Sequence, residues 1–106
     1  MRLGIIGAGR VGASFVLAFP SDVEGILCST QEHTLEQAAR LHATAYTDGA
    51  DLIRHCDVLL LTVRDDALAP VSRELAASLN GGQELSRICV FHCSGAMDLS
   101  PLEPLA

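Results

Sequence analysis

Leu3-Gly4-Ile5-Ile6-Gly7-Ala8-Gly9-Arg10-Val11-Gly12 opens the chain with an apolar run that leads straight into a glycine-rich turn. Its apolar opening, Leu3 to Ile6, reads as a short buried strand, and Val11 to Phe19 reads as an apolar, alanine-containing helix. A G-x-G-x-x-G triplet arises by chance in many sequences, and its bland reading is a glycine-rich turn that binds nothing. Set between a strand and a helix, it marks a βαβ unit that cradles a dinucleotide. Gly7 permits the tight turn, Gly9 lets the backbone approach a pyrophosphate, and Gly12 lets helix and strand pack closely. The helix then offers free N–H groups and the positive end of its dipole to the phosphates.

Outward from that turn the chain keeps alternating strands and helices. Val23 to Cys28 is the second expected strand, after the turn Pro20-Ser21-Asp22. Thr34 to His42 carries Leu35, Ala38, Ala39 and Leu41 at helical spacing. Ala45-Tyr46 is a very short third strand, and Asp48-Gly49 turns into a short helix, Ala50 to His55. Asp57 to Val63 is apolar throughout its centre, the pattern of a strand buried on both faces. Asp66 to Leu79 is the next helix, stopped by Asn80-Gly81-Gly82, and Ile88 to His92 is a fifth strand. This rhythm predicts right-handed crossovers and a parallel doubly wound α/β sheet in the order 3-2-1-4-5.

Composition bounds the rest. The 106 residues suit one domain, and 49% of them are hydrophobic, enough for a core. With three Phe, one Tyr and no Trp, that core must be Leu, Val, Ile and Ala, as in a sheet covered on both faces. The formal net charge is −6, all seven basic residues are Arg, and no basic cluster exists. Nucleic acid and anionic membrane surfaces are therefore poor candidates as partners. No apolar run is long enough to span a bilayer, and the first residues lack a signal-peptide layout, so a cytoplasmic protein is expected. Of Cys28, Cys56, Cys89 and Cys93, three sit in or beside apolar runs and read as small core residues rather than a disulfide framework. Strand alternation sends His92 to the opposite face from Cys89 and Cys93, so no metal site is expected there.

Three landmarks carry a resemblance to a known group: Gly7 to Gly12, then Leu61-Thr62-Val63-Arg64-Asp65-Asp66-Ala67-Leu68, then Phe91-His92-Cys93-Ser94-Gly95-Ala96. In combination they resemble the Rossmann-like oxidoreductases related to pyrroline-5-carboxylate reductase and the 6-phosphogluconate dehydrogenase superfamily. The resemblance covers essentially the whole chain and implies a Rossmann-type domain that binds NADP. It also implies a C-terminal helical domain, outside residues 1–106, that completes the substrate pocket and a homodimer. Two positions depart from the group's pattern. Arg64 stands where members commonly have Pro, and Thr30 stands where an Arg often follows the second strand.

Ligands of open α/β sheets sit outside the carboxyl ends of the strands, at the switch in strand order. Gly7, Ala8, Gly9, Arg10, Val11 and Gly12, then Ser29 and Thr30, then Thr62, Val63, Arg64 and Asp65, then Cys93, Ser94 and Gly95 all lie at or just beyond expected strand ends. They are the expected cofactor contacts. Val63-Arg64-Asp65 reads either as a loop against the adenosine or as an ordinary turn with Asp65 or Asp66 as helix cap. Ser94-Gly95 reads as a nicotinamide and substrate contact or as a strand-ending turn. The cofactor is expected to be NADP, with NAD as the alternative. Cys28-Ser29-Thr30 is neutral where NAD enzymes carry an acid for the ribose, although Glu32 is near; Arg10 is within reach of a 2′-phosphate. His92 and Ser94 are the candidates for catalysis, but a lone His without a visible acidic or nucleophilic partner is more often a structural hydrogen bonder. His33, His42 and His55 take the bland reading. The expected function is hydride transfer between a nicotinamide and a small C=N or C=O substrate, and the alternative is a non-catalytic nucleotide-binding sensor.

Overall fold

The computed structural model describes residues 2–7, 9–78 and 88–92. Strand β1 (Leu3–Ile6) is buried at all four positions because strands flank both its edges and helices cover both its faces. On one side it pairs in parallel with β2 (Val23–Leu27), on the other with β3 (Val58–Leu61), which in turn pairs with β4 (Cys89–His92). The order β2-β1-β3-β4 is that of a doubly wound sheet, as the alternation of elements predicts. The expected third strand is reduced to a single parallel bridge, Ala45 on Ile26. It is held by Ile26 N–H to the Thr44 carbonyl and Tyr46 N–H to the Ile26 carbonyl, both 2.9 Å. With that bridge included, the lateral order is the predicted 3-2-1-4-5. The bridge is short because the chain turns almost at once into a helix that Asp48 caps.

Helices α1 (Arg10–Ala18) and α2 (Gln31–Leu41) cover one face, and α3 (Gly49–Arg54) and α4 (Leu68–Ser78) the other. Strand alternation divides the core between them. Leu3, Ile5, Ile26 and Leu60 meet Val16 of α1 and Ala38 and Leu41 of α2. Ile6, Leu59, Leu61 and Ile88 meet Leu52 and Ile53 of α3 and Leu68 and Leu75 of α4. Burying each of these Leu, Ile and Val side chains stabilises the fold by about 1.5–3 kcal/mol relative to exposure.

Several boundaries differ from the periodicity, each for a local reason. Helix α2 begins at Gln31, three residues before the expected start, because the Thr30 hydroxyl accepts the His33 N–H at 3.1 Å. Asp48 does the same for α3 through Ala50 N–H at 3.1 Å. A 3-10 turn at Asp65–Ala67 precedes α4, so the helix proper starts at Leu68 and holds Pro70 in its first turn, where a missing N–H costs nothing. The expected stop at Asn80-Gly81-Gly82 lies outside the described residues. The expectation of a mostly buried cysteine set needs correction at Cys89, which is exposed, whereas Cys56 is buried and Cys28 half-buried. Val90 packs against the α3–α4 core, so alternation sends Cys89 and Phe91 to the other face, where both are exposed. Cys93 lies outside the described residues. Among the described residues no helix is long and apolar enough to cross a membrane.

Candidate functional site

Parallel pairing places the carboxyl ends of β1, β2 and β3 on one edge of the sheet, and an open cleft of about 560 Å3 lies there. That is within the size range of small-molecule and cofactor sites. Its floor is the β1–α1 turn. Gly7 adopts φ +90°, a conformation L side chains rarely take, and a Cβ there would lie 2.8 Å from Val63 Cγ1. Its N–H donates to the Leu27 carbonyl at 2.8 Å, binding the turn to the end of β2. The Thr62 hydroxyl donates to the Gly7 carbonyl, binding the turn to the end of β3. Gly12 is buried in the first turn of α1, and a Cβ there would run into the Gly7 carbonyl oxygen and lie 2.7 Å from Thr62 Oγ1.

Gly9 is different. It is the N-cap of α1 with ordinary dihedrals, and a Cβ added to it would meet nothing within 4 Å. Packing against the described residues does not explain its missing side chain. No side chain caps α1, and its first turn carries no acid. By contrast, α2 has Thr30 and Glu32 in those places, and α3 has Asp48 and Asp51. Among the described residues, no side chain caps the amino end of α1, whose positive dipole end lies beside a cleft-lining glycine.

At the end of β2, Ser29 lines the cleft, whereas Thr30 does not, its hydroxyl being engaged as the cap of α2. Fully buried Thr34 supports this corner, accepting Cys28 N–H and donating to the Thr30 carbonyl, each at 2.8 Å. At the end of β3, Thr62, Val63 and Arg64 all line the cleft. Arg64 Nη2 stands 3.4 Å from Asp66 Oδ2, but both side chains are largely exposed, so the pair holds the guanidinium weakly. Arg10 and Val11 are exposed on α1 and do not line the cleft. The backbone of Asp65 opens the 3-10 turn and that of His92 ends β4 opposite Leu61, while Ala8, Cys93, Ser94 and Gly95 lie outside the described residues.

The far wall carries residues that sequence reasoning did not select: His33 from α2, Thr47 and Asp48 before α3, and Val71, Glu74 and Leu75 from α4. Asp48 was legible only as a turn residue, and nothing in the local pattern of α4 marks Glu74. Tyr46, next to this wall, donates its hydroxyl to Glu24 Oε1 at 3.0 Å. Burial, and then the Glu24 carboxylate, push its pKa up from 10.0 to about 12.

A glycine turn of this geometry on a parallel sheet agrees with the family that matches the chain over residues 1–106, the Rossmann-like domain. The chain belongs to the Rossmann-like domain family. No curated protein sequence matches it. Among solved structures it is similar to a UDP-N-acetylglucosamine 3-dehydrogenase from Acidithiobacillus ferrooxidans, at 18% identity and a TM-score of 0.71, over 99% of this chain and 33% of that one. It is similar also to a pyrroline carboxylate reductase from Plasmodium falciparum with NADP bound, at 19% identity and a TM-score of 0.66, over 99% of this chain and 37% of that one. A dehydrogenase from Clostridium difficile aligns at 14% identity and a TM-score of 0.69, over 99% of this chain and 34% of that one. This Rossmann-like chain spans about a third of the length of each. Likeness at such identities speaks for the fold, and a pyrroline carboxylate reductase among the neighbours accords with the resemblance carried by the three landmarks.

Proposed function

We propose that this chain is the NADP-binding domain of an oxidoreductase. The observation that carries the reading is Gly9: open space for a ligand beside an uncapped helix terminus, on a turn locked by Gly7, Gly12 and Thr62. In this reading the N–H groups at the start of α1, from Arg10 to Gly12, hold the pyrophosphate, and no side chain at position 9 stands in its way. Val63 and Arg64 lie against the adenosine. Ser29 donates to a 2′-phosphate, with Arg10 reaching across from α1. The preference for NADP over NAD rests on the end of β2, where Leu27, Cys28 and Ser29 line the cleft and no acid stands among them to hold a ribose 2′-hydroxyl. Glu32, the nearby acid, does not line the cleft.

Bound NADPH supplies a hydride for a small C=N or C=O substrate, and the protein supplies orientation and exclusion of water. The substrate half of the pocket belongs to a helical domain beyond this segment, paired in a dimer. The test is a thermal-shift and titration comparison of NADPH, NADH and adenine nucleotides. NADPH should stabilise the chain most, and Ser29→Ala should weaken NADPH while leaving NADH unchanged. Tighter binding of NADH would overturn the choice of cofactor.

A further inference from the structure

The corner at the end of β2 is held by a hydroxyl that does not itself line the cleft. Thr34, near the start of α2, is fully buried, and its Oγ1 makes two hydrogen bonds of 2.8 Å. It donates to the Thr30 carbonyl and accepts the Cys28 N–H. Those two partners bracket Ser29, which lines the cleft. On the strand side, the Leu27 carbonyl is fixed by the Gly7 N–H at 2.8 Å. Among the described residues the Ser29 side chain makes no hydrogen bond of its own, so the backbone on either side sets where its hydroxyl stands.

A hydroxyl has one proton and two lone pairs. With its proton committed to the Thr30 carbonyl, Thr34 Oγ1 turns a lone pair to the Cys28 N–H. A helical Thr bonded to the carbonyl four residues back is ordinary and by itself signals nothing. That carbonyl is also served by the Thr34 N–H at 2.9 Å, so it does not need the hydroxyl. The Cys28 N–H does need it. Accepting a donor from outside the helix ties α2 to the strand end, with Ser29 on the segment between the two bonds.

We infer that Thr34 is a positioning residue, which fixes Ser29 in the cleft and acts on the choice between NADPH and NADH only through Ser29. The inference rests on the assignment of Ser29 to the 2′-phosphate and adds the group that holds Ser29 in place. Without the hydroxyl, the Cys28 N–H loses its acceptor and an unsatisfied donor is costly to keep. The backbone of residues 28–30 then turns to give that N–H to water and carries Ser29 with it. NADH presents no 2′-phosphate, so its affinity does not depend on where the Ser29 hydroxyl stands.

The test measures NADPH and NADH affinities by calorimetric titration and follows their ratio. Thr34→Val keeps the shape of the side chain but removes the hydroxyl, and it should lower the native preference for NADPH about 3- to 10-fold, the scale of one hydrogen bond. Thr34→Ala, which lacks the same hydroxyl in a smaller side chain, should shift the ratio the same way and serves if the valine variant fails to fold. Thr34→Ser restores the hydroxyl and should restore the ratio. Thermal unfolding of each variant reports on folding separately. In a Ser29→Ala background, Thr34→Val should leave the ratio where Ser29→Ala alone puts it. A ratio unchanged in the folded Val and Ala variants would overturn the inference, and so would equal weakening of both ligands, which marks a merely structural role. A further fall of the ratio in the Ser29→Ala background would overturn it too, since Thr34 would then act by another route. Tighter binding of NADH by the native chain, or binding of neither ligand, would instead overturn the cofactor reading, and the inference with it.

Discussion

A side chain at Gly9 would enter open space, whereas one at Gly12 would meet the Gly7 carbonyl and the Thr62 hydroxyl. The two glycines therefore fail in different ways. Gly9→Val should fold with a near-native melting temperature yet lose dinucleotide binding, because its side chain occupies the phosphate's place. Gly12→Ala should lose about 1–3 kcal/mol of stability through overpacking between helix and strand, read by urea denaturation. A folded Gly9→Val chain that still bound NADPH normally would remove the main support of the proposed function. Tyr46 makes a prediction in pH. Its folded pKa of about 12 lies above the unfolded value of 10.0, so the native state holds the phenolic proton more tightly. That contribution is complete below pH 10 and disappears as pH rises toward 12. The native chain should lose stability across this window faster than Tyr46→Phe, measured as unfolding midpoints at successive pH values; parallel curves would show that the phenol is not linked to folding.

Helix α2 illustrates how single elements are set. Thr30 closes its first turn, and the residue after its last turn, His42, takes a left-handed φ of 56°. A non-glycine residue there is strained, although its N–H still bonds the Ala38 carbonyl. Thr30→Ala should cost about 1 kcal/mol as the cap is lost. His42→Gly should stabilise by up to about 1 kcal/mol, since glycine takes this conformation without the Cβ clash. Chemical denaturation of both variants checks the pair of opposite signs. Neither residue lines the cleft, so cofactor affinity in the folded variants should stay near native.

For the whole molecule, the parallel sheet gathers turns distant in sequence along one edge. Gly7, Ser29 and Thr62 follow three different strands, yet all line one cleft. Hydride transfer needs more, namely a pocket that orients a substrate over the nicotinamide and excludes water. Under the proposed division of labour, this segment binds NADPH but does not oxidise it when given a panel of imines and ketoacids. Absorbance of the reduced nicotinamide over time is the measurement. Saturable oxidation by the segment alone would show that the substrate pocket lies within it.

Local chemistry made several features readable from the residues alone. Apolar runs placed β1, β3 and β4, helical spacing placed α2, and the turn Gly7 to Gly12 was legible because backbone geometry and close approach restrict those positions to glycine. The parallel order followed from alternation of elements and crossover handedness. The very short third strand was legible too, from the Asp48-Gly49 turn that follows it. For that strand tertiary structure decided only that its pairing shrinks to the single bridge of Ala45 on Ile26. It also decided that Cys89 faces outward, because which side of β4 is covered depends on where α3 and α4 pack. The cleft's far wall is the deepest such case. Asp48 precedes α3 and Glu74 lies in α4, with β3 between them in sequence, and the packing of α3 against α4, Gly49 on Leu75 included, brings both to one cleft. Periodicity reports which face of an element is buried, but not which two elements that burial will bring together.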